Sequence, residues 1–565
     1  MRGMRFVHLC AGLVMVASAS AVQAGSDLRA MVEHYGIDRA ALSRRFDCAT
    51  SPDRLARMAE FYMQAEAALR AVDYAELSNE ARIDHQLLSD KVRHDRLELA
   101  RVQARVAEMQ PWIPYAPVVR HLHDARRQRA EPDARLCAER LTQLAEQAHA
   151  ALAAVKQTGQ PQPPKHLALR MVRELERLQQ DLREWMTFYE GYHPEVSWWC
   201  ARPTQTALSA MGDHARYLRE SVVGHAAGQD EPVVGDPIGR EALLAHLAHE
   251  RIAYTPEELV AIAQREFAWC DAQMLAASRE IGFGDDWKAA MNAVKNLHVE
   301  PGEQPKLIVE LAHEATSFLE QRDLLTIPEL AKELWRVEMM SAQAQKTNPF
   351  FLGGEAIIVS YPTAEMEHAD KLMSMRGNNR HFARATVHHE VIPGHHLQGY
   401  MTDRHNRYRD EFGTPFWTEG WALYWEMRMW DLGFARGPED RIGMLFWRMH
   451  RCARIVFSLS FHLGTMTPEQ CVDFLVERVN HERANAQGEV RRSFNGDYSP
   501  LYQVGYMIGG LQLRALHAEL VQSERMSERD FHDAILTGGT MPIEGVRWRL
   551  TKAPETPNAK VEWRF

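Results

Sequence analysis

Four histidines and one glutamate fall within the nine residues His388-His389-Glu390-Val391-Ile392-Pro393-Gly394-His395-His396. Imidazole and carboxylate donors at this density suit a transition-metal site. In the common H-E-x-x-H arrangement, two histidines four residues apart share one helical face, and the glutamate after the first acts as general base. His389-Glu390 reproduces the first half of that pattern, but the residue four on from His389 is Pro393. On an unbroken helix His395 would be turned about 240° away from His389, and His396 would share its face but stand roughly 10 Å along the axis. Proline removes a helical hydrogen bond and clashes with the preceding turn, and glycine tolerates the distorted backbone that follows. Pro393-Gly394 is therefore expected to act as a two-residue bulge that restores His395 to the place of the second histidine. His389 and His395 are the expected ligands, with His396 as the alternate. His388 faces elsewhere, as a supporting or surface residue.

A third ligand is available in PFWTEGWALYWEMRMW, residues 415–430. Trp417, Trp421 and Trp425 recur every four residues and form one apolar stripe, while Glu419 lies on another face. A glutamate among so much aromatic surface is costly to bury unless a cation neutralises it, so Glu419 is the expected third ligand. Glu426 is either a residue that orients a histidine ring or a solvated surface glutamate. Further on, Tyr498, Tyr502 and Tyr506 recur every four residues and could line one helical face, where a hydroxyl can donate to the oxyanion of a tetrahedral intermediate.

These residues need a scaffold, and helical periodicity dominates the chain. Residues 55–72, 85–109 and 168–189 repeat apolar side chains at three- and four-residue spacing, and 134–156, 256–280 and 304–344 also read as helical. Pro-rich breaks at 159–165 and 230–239 read as loops. One segment differs: Ile357-Ile358-Val359, bounded by Gly-Gly and Pro362, reads as a strand, and 380–391 reads as the helix that carries His389. The tail from 546 to 565 has some β character and reads as irregular. The expected fold is mainly α, with a small β element next to the metal-binding helix.

Bulk properties narrow the function. The 565 residues carry a formal net charge of −10 with no compensating Lys/Arg block, which argues against a nucleic-acid binder. Arg2 and Arg5, an apolar run and Val22-Gln23-Ala24 have the layout of a secretory signal peptide cleaved after Ala24, and losing its two arginines would leave a charge of −12. The apolar run is shorter than the ~20 residues a spanning helix requires, and no later segment reaches that length. The expected protein is therefore exported, periplasmic or secreted, without stable membrane insertion. Cys48, Cys137, Cys200, Cys270, Cys452 and Cys471 contain no C-x-x-C pair, which excludes a cysteine zinc knuckle; they could be disulfides or buried thiols.

HEVIPGHHLQ, TEGWALYWE, RCARIVFSLSFHLGTMTPEQ and the block containing Tyr498, Pro500, Gln503, Tyr506, Ile508 and Gly509 occur in the order of the DUF885 family of bacterial proteins, which this chain resembles over most of its mature length. That family is in turn similar to helical gluzincin peptidases, the group of angiotensin-converting enzyme and the thimet-type oligopeptidases. The resemblance implies one domain over 25–565, with a helical part over 25–345 and a catalytic part over 346–565. It also implies a deep channel with Zn2+ at its floor. Carried over by position, it makes His389, His395 and Glu419 the zinc ligands, Glu390 the base, and Tyr506 the oxyanion donor, with Tyr498 and Tyr502 as rivals. His462 falls in a matching segment as an assisting residue, and Ser458 stands where the family pattern suggests aspartate.

The resulting expectation is a zinc metallopeptidase that hydrolyses short or unstructured peptides. Alternatives with the same residues are a metal-dependent hydrolase of non-peptide amides or esters and a catalytically inactive periplasmic binding protein. Two imidazoles and a carboxylate also suit non-haem iron(II), but the His-Glu pairing favours zinc.

Overall fold

Apolar residues at helical spacing build helices along nearly the whole chain, and their buried faces gather into three main cores. The computed structural model describes residues 28–565 apart from 158, 160, 227, 229–231, 346–350, 352, 365 and 497, so the expected signal peptide lies outside the described residues. The first core joins Leu141 and Leu144 of the helix Ala134–Lys156 to Leu175, Leu178 and Leu182 of Lys165–Tyr189 and to Ala207 and Met211 of Pro194–Tyr217. The second draws the start of the chain onto the candidate site: Val32, Ile83 and Leu311 share a core with Val387, Trp421, Trp425 and Leu513. The third holds the site from the other side through Phe267, Met291, Phe382, Leu445 and Met507.

Four helices surround the predicted ligands. The histidine helix, Arg380–Glu390, is capped by Asn379, whose side chain accepts from the backbone N–H groups of His381 and Phe382. The glutamate helix, Pro415–Asp431, starts from Thr414 with proline at its first position, where the missing N–H costs nothing. The arginine helix, Pro438–His462, is buried along most of its length. The tyrosine helix, Tyr502–Leu520, lies against the glutamate helix at backbone contact. A Cβ on Gly420 would stand 2.7 Å from Gly509 Cα, and a Cβ on Gly509 would collide with the Phe416 carbonyl oxygen.

The predicted strand is present as Ala356–Val359 (β2), paired in parallel with Arg336–Met339 (β1) in the register Val337↔Ile357. The helix expected across all of 304–344 is interrupted: Gln304–Glu320, Glu329–Leu334 and Ala342–Gln345 are helical, but β1 stands between the last two. The pairing that creates β1 comes from twenty residues away, so no local periodicity announces it. The tail forms the helix Ile543–Leu550 before becoming irregular. Cys48, Cys137, Cys200, Cys270, Cys452 and Cys471 are all buried free thiols. No helix among the described residues is long and apolar enough to cross a membrane.

Candidate metal centre

The histidine helix stops at Glu390, and the break after it brings the second histidine round. The Ile392–Pro393 peptide is cis. Gly394 N–H donates to the His388 carbonyl at 3.0 Å, Leu397 N–H to Val391 at 3.2 Å, and the Trp421 indole N–H to the Pro393 carbonyl at 2.8 Å. These bonds engage backbone groups that a broken helix leaves without partners. A Cβ on Gly394 would collide with the His389 carbonyl oxygen, so the chain can turn this tightly only at glycine. A new helix, His395–Thr402, then begins on the second histidine. The His389 and His395 rings meet edge to face with centres 4.8 Å apart and planes at 88°.

Glu419 closes the triangle. Its Oε2 lies 3.5 Å from His389 Nε2 and 3.2 Å from His395 Nε2, is buried, and has no hydrogen bond among the described residues. A carboxylate oxygen buried between two imidazole nitrogens is unfavourable unless positive charge, from a metal ion or from protonated imidazoles, shares it. Zinc ligands at about 2.0–2.2 Å in tetrahedral array stand roughly 3.3–3.6 Å from one another, and the distances from Glu419 Oε2 to the two imidazole nitrogens are close to that range. The other carboxylate oxygen, Oε1, accepts from the Tyr502 hydroxyl at 2.5 Å.

Glu426 is no surface residue. It is buried, and its Oε1 accepts from His389 Nδ1–H at 2.7 Å while lying 3.3 Å from Arg451 Nη2. That bond fixes the tautomer that turns Nε2 towards Glu419. Removing such a support typically weakens metal binding about 10- to 100-fold. Glu426→Ala is expected to do so here and Glu426→Gln to do so less, as read by competitive chelator titration.

A cavity of about 660 Å³ opens over these groups, lined among others by Glu390, Trp447, Tyr498, Tyr502 and Tyr506. Tyr506 stacks on His389 with ring centres 6.1 Å apart. Tyr502 is the first residue of its helix and Tyr498 precedes it, so the three tyrosines do not share one helical face as their spacing suggested. They are brought together by stacking instead, with the Tyr498 and Tyr502 ring centres 4.1 Å apart.

The family model for DUF885, a bacterial protein of unknown function, matches residues 33–550. The chain belongs to the DUF885 family. Among solved structures, a "putative lipoprotein of unknown function" from Shewanella oneidensis resembles it with a TM-score of 0.69 at 16% identity, covering 93% of this chain and 100% of that one. A "putative lipoprotein" from Colwellia psychrerythraea has a TM-score of 0.57 at 15% identity, covering 92% and 97%. These likenesses concern the fold. No curated protein matches the chain.

Within this DUF885 site the charges are strongly coupled. Burial opposes a charge on His389, but Glu419 and Glu426 outweigh it and lift its pKa to about 9. Burial also opposes ionisation of Glu419, yet His395 and His389 hold its carboxyl well below the usual range. Burial raises Glu390, and the neighbouring imidazoles only partly offset it.

Three further histidines, two of them expected participants, lie elsewhere in the DUF885 chain. His396 donates from Nε2 to the Ala331 carbonyl at 2.7 Å, which removes it as the alternate ligand. His388 bonds the Arg384 carbonyl through Nδ1 at 2.8 Å and packs its ring on Phe434. His462, at the end of the arginine helix, lies outside the cavity lining and packs on Phe461 and Phe494. Burial chiefly pushes its pKa down to about 3, with His246 and Arg101 adding to the effect. It borders a second cluster, His94, Glu98 and His246, in which the Arg101 guanidinium already lies 2.7 Å from Glu98 and 2.8 Å from His246. Ser458 is buried, and its hydroxyl has no hydrogen bond among the described residues.

Sequence reasoning missed Arg451, Arg454 and Arg492, which line the cavity, and Glu489, which bridges the last two. A signal was present: Arg448, Arg451 and Arg454 recur every third residue in an otherwise apolar helix, where unpaired charge cannot be buried cheaply.

Proposed function

We propose that this protein is an exported zinc-dependent metallopeptidase acting on short or unstructured peptides. The observation that carries the reading is the buried Glu419 Oε2 held between two imidazole nitrogens, with Glu390 beside them on the wall of a cavity. Bound there, a zinc ion would polarise the scissile carbonyl and acidify a water molecule. Three protein ligands leave a fourth position open, as catalytic sites require and structural sites do not. Glu390 accepts the proton of the attacking water and delivers it to the leaving amine. Tyr506, stacked on His389, donates its hydroxyl to the oxyanion, while Tyr502 steadies Glu419. Export is supported by the signal-peptide layout at 1–24 and by the lipoprotein descriptions of both structural neighbours.

The test is metal analysis of the purified protein together with cleavage of a peptide library. One zinc per chain is expected, and chelation should abolish cleavage, with zinc restoring it. Chelation should also lower the melting temperature, because an ion that binds only the folded state stabilises it. Protein that binds no metal, or that cleaves equally well after chelation, would refute the reading.

A further inference from the structure

Three guanidinium groups line the cavity. The guanidinium carbons of Arg451 and Arg454 lie 4.6 and 4.3 Å from the centre of the Tyr506 ring, and that of Arg492 lies 5.6 Å from the centre of Tyr498. Glu390 and Glu419 belong to the metal centre, where a divalent ion matches their two charges. Among the described residues, the carboxylates that pair with the three arginines are Glu426 and Glu489. Glu426 lies 3.3 Å from Arg451 Nη2. Glu489 lies 2.7 Å from Arg454 Nε and 2.9 Å from Arg492 Nε. Among the described residues, Arg454 and Arg492 therefore share Glu489 as their counter-ion in a largely buried place. Arg454 Nη1 is moreover a buried donor with no hydrogen-bond partner, on a side chain only 2% exposed. A buried guanidinium N–H without an acceptor is unfavourable, and the guanidinium fork fits a carboxylate in two-point contact.

We propose that Arg454 and Arg492 bind the free α-carboxylate of the substrate, so that the enzyme acts at the C-termini of peptides. The proposal deepens the peptidase reading above and rests on it. The same geometry sets the register. The Arg454 guanidinium carbon is 4.3 Å from the centre of the Tyr506 ring, and that ring is 6.1 Å from the His389 ring, so Arg454 and His389 are at most about 10 Å apart. An extended chain advances about 3.3–3.6 Å per residue. The scissile bond is then within about three residues of the C-terminus.

The test uses N-acetyl-Ala-Ala-Ala and its C-terminal amide. Binding is measured by calorimetry on zinc-loaded Glu390→Gln protein, and hydrolysis on the wild type. A hydrogen-bonded charge pair at a desolvated site predicts that the acid binds about 10- to 100-fold more tightly than the amide. In the otherwise wild-type enzyme, Arg492→Gln leaves Arg454 and Glu489 matched one to one, so it should fold normally. It should bring the acid-to-amide preference in kcat/KM close to one, mainly by raising KM for the acid, while Arg492→Lys keeps part of it. Equal binding of the two peptides, or no detectable binding of either, overturns the carboxylate subsite whether or not any arginine variant folds. Equal cleavage of acid and amide would sink the subsite and leave the peptidase reading standing. Preferential binding of the acid without cleavage by the wild type would do the reverse.

Discussion

Glu390→Gln is expected to retain its zinc and lose about 10²- to 10⁴-fold in kcat, the range that a positioned general base contributes. The substitution changes almost nothing but proton affinity. The amide has the shape of the carboxylate, and in the proposed mechanism Glu390 is the base while His389, His395 and Glu419 would hold the ion. Its side chain is also sterically confined: a Cβ on Gly353 would collide with Glu390 Oε2, so the loop before β2 closes directly over the carboxylate. Glutamine should therefore occupy the same place without accepting the proton of the attacking water. The check pairs kcat on a cleaved peptide with metal content measured on the same sample. Unchanged kcat would remove Glu390 from the mechanism, and loss of zinc would make it a ligand instead.

The second large effect is on stability. Glu489→Ala is expected to destabilise the fold by about 3–5 kcal/mol, the range found when one partner of a buried ion pair is deleted and its counter-charge remains. Here two counter-charges remain, since Arg454 Nε donates to, and Arg492 Nε lies 2.9 Å from, a carboxylate that is 1% exposed. Gln503 Nε2, which donates to the same carboxylate at 3.1 Å, would lose an acceptor as well. Denaturant melts would read the loss. There is also a pH signature. Burial alone would raise the Glu489 pKa, but Arg454 and Arg492 outweigh burial and hold it at about 2, below the ordinary 4.5. A depressed folded-state value means that this stabilisation is complete above about pH 4.5 and is lost as the pH falls towards 2. The alanine variant should therefore show a shallower acid loss over that window than the wild type.

The candidate metal centre was legible in the sequence because its information is local. Donor type, the Pro393-Gly394 break and the isolation of Glu419 on an aromatic helix can each be read within a few residues. Together they pointed to His389, His395 and Glu419, the three side chains that the fold brings within reach of one another. What was not legible depends on distant partners. His396 is turned away by the carbonyl of Ala331, 65 residues upstream, and no feature of the histidine stretch separates it from His395. Whether Glu426 was buried or solvated depended on His389, 37 residues before it. Tyr498 lies outside the tyrosine helix for a local reason that its four-residue spacing concealed. Pro500 biases Ser499 away from helical backbone, so the helix starts after it. His462 is the last residue of the arginine helix, which carries it past the end of the cavity.

The contact between Gly420 and Gly509 sets how this site can be altered. The helices that carry Glu419 and Tyr506 touch through main-chain atoms, so their separation contains no side chain that mutation could lengthen or trim. The gap between Glu419 and Tyr506 behaves as a fixed gauge. Residues on the cavity wall such as Phe351, Trp447 and Thr540 can be exchanged around it while the spacing between those two side chains stays the same.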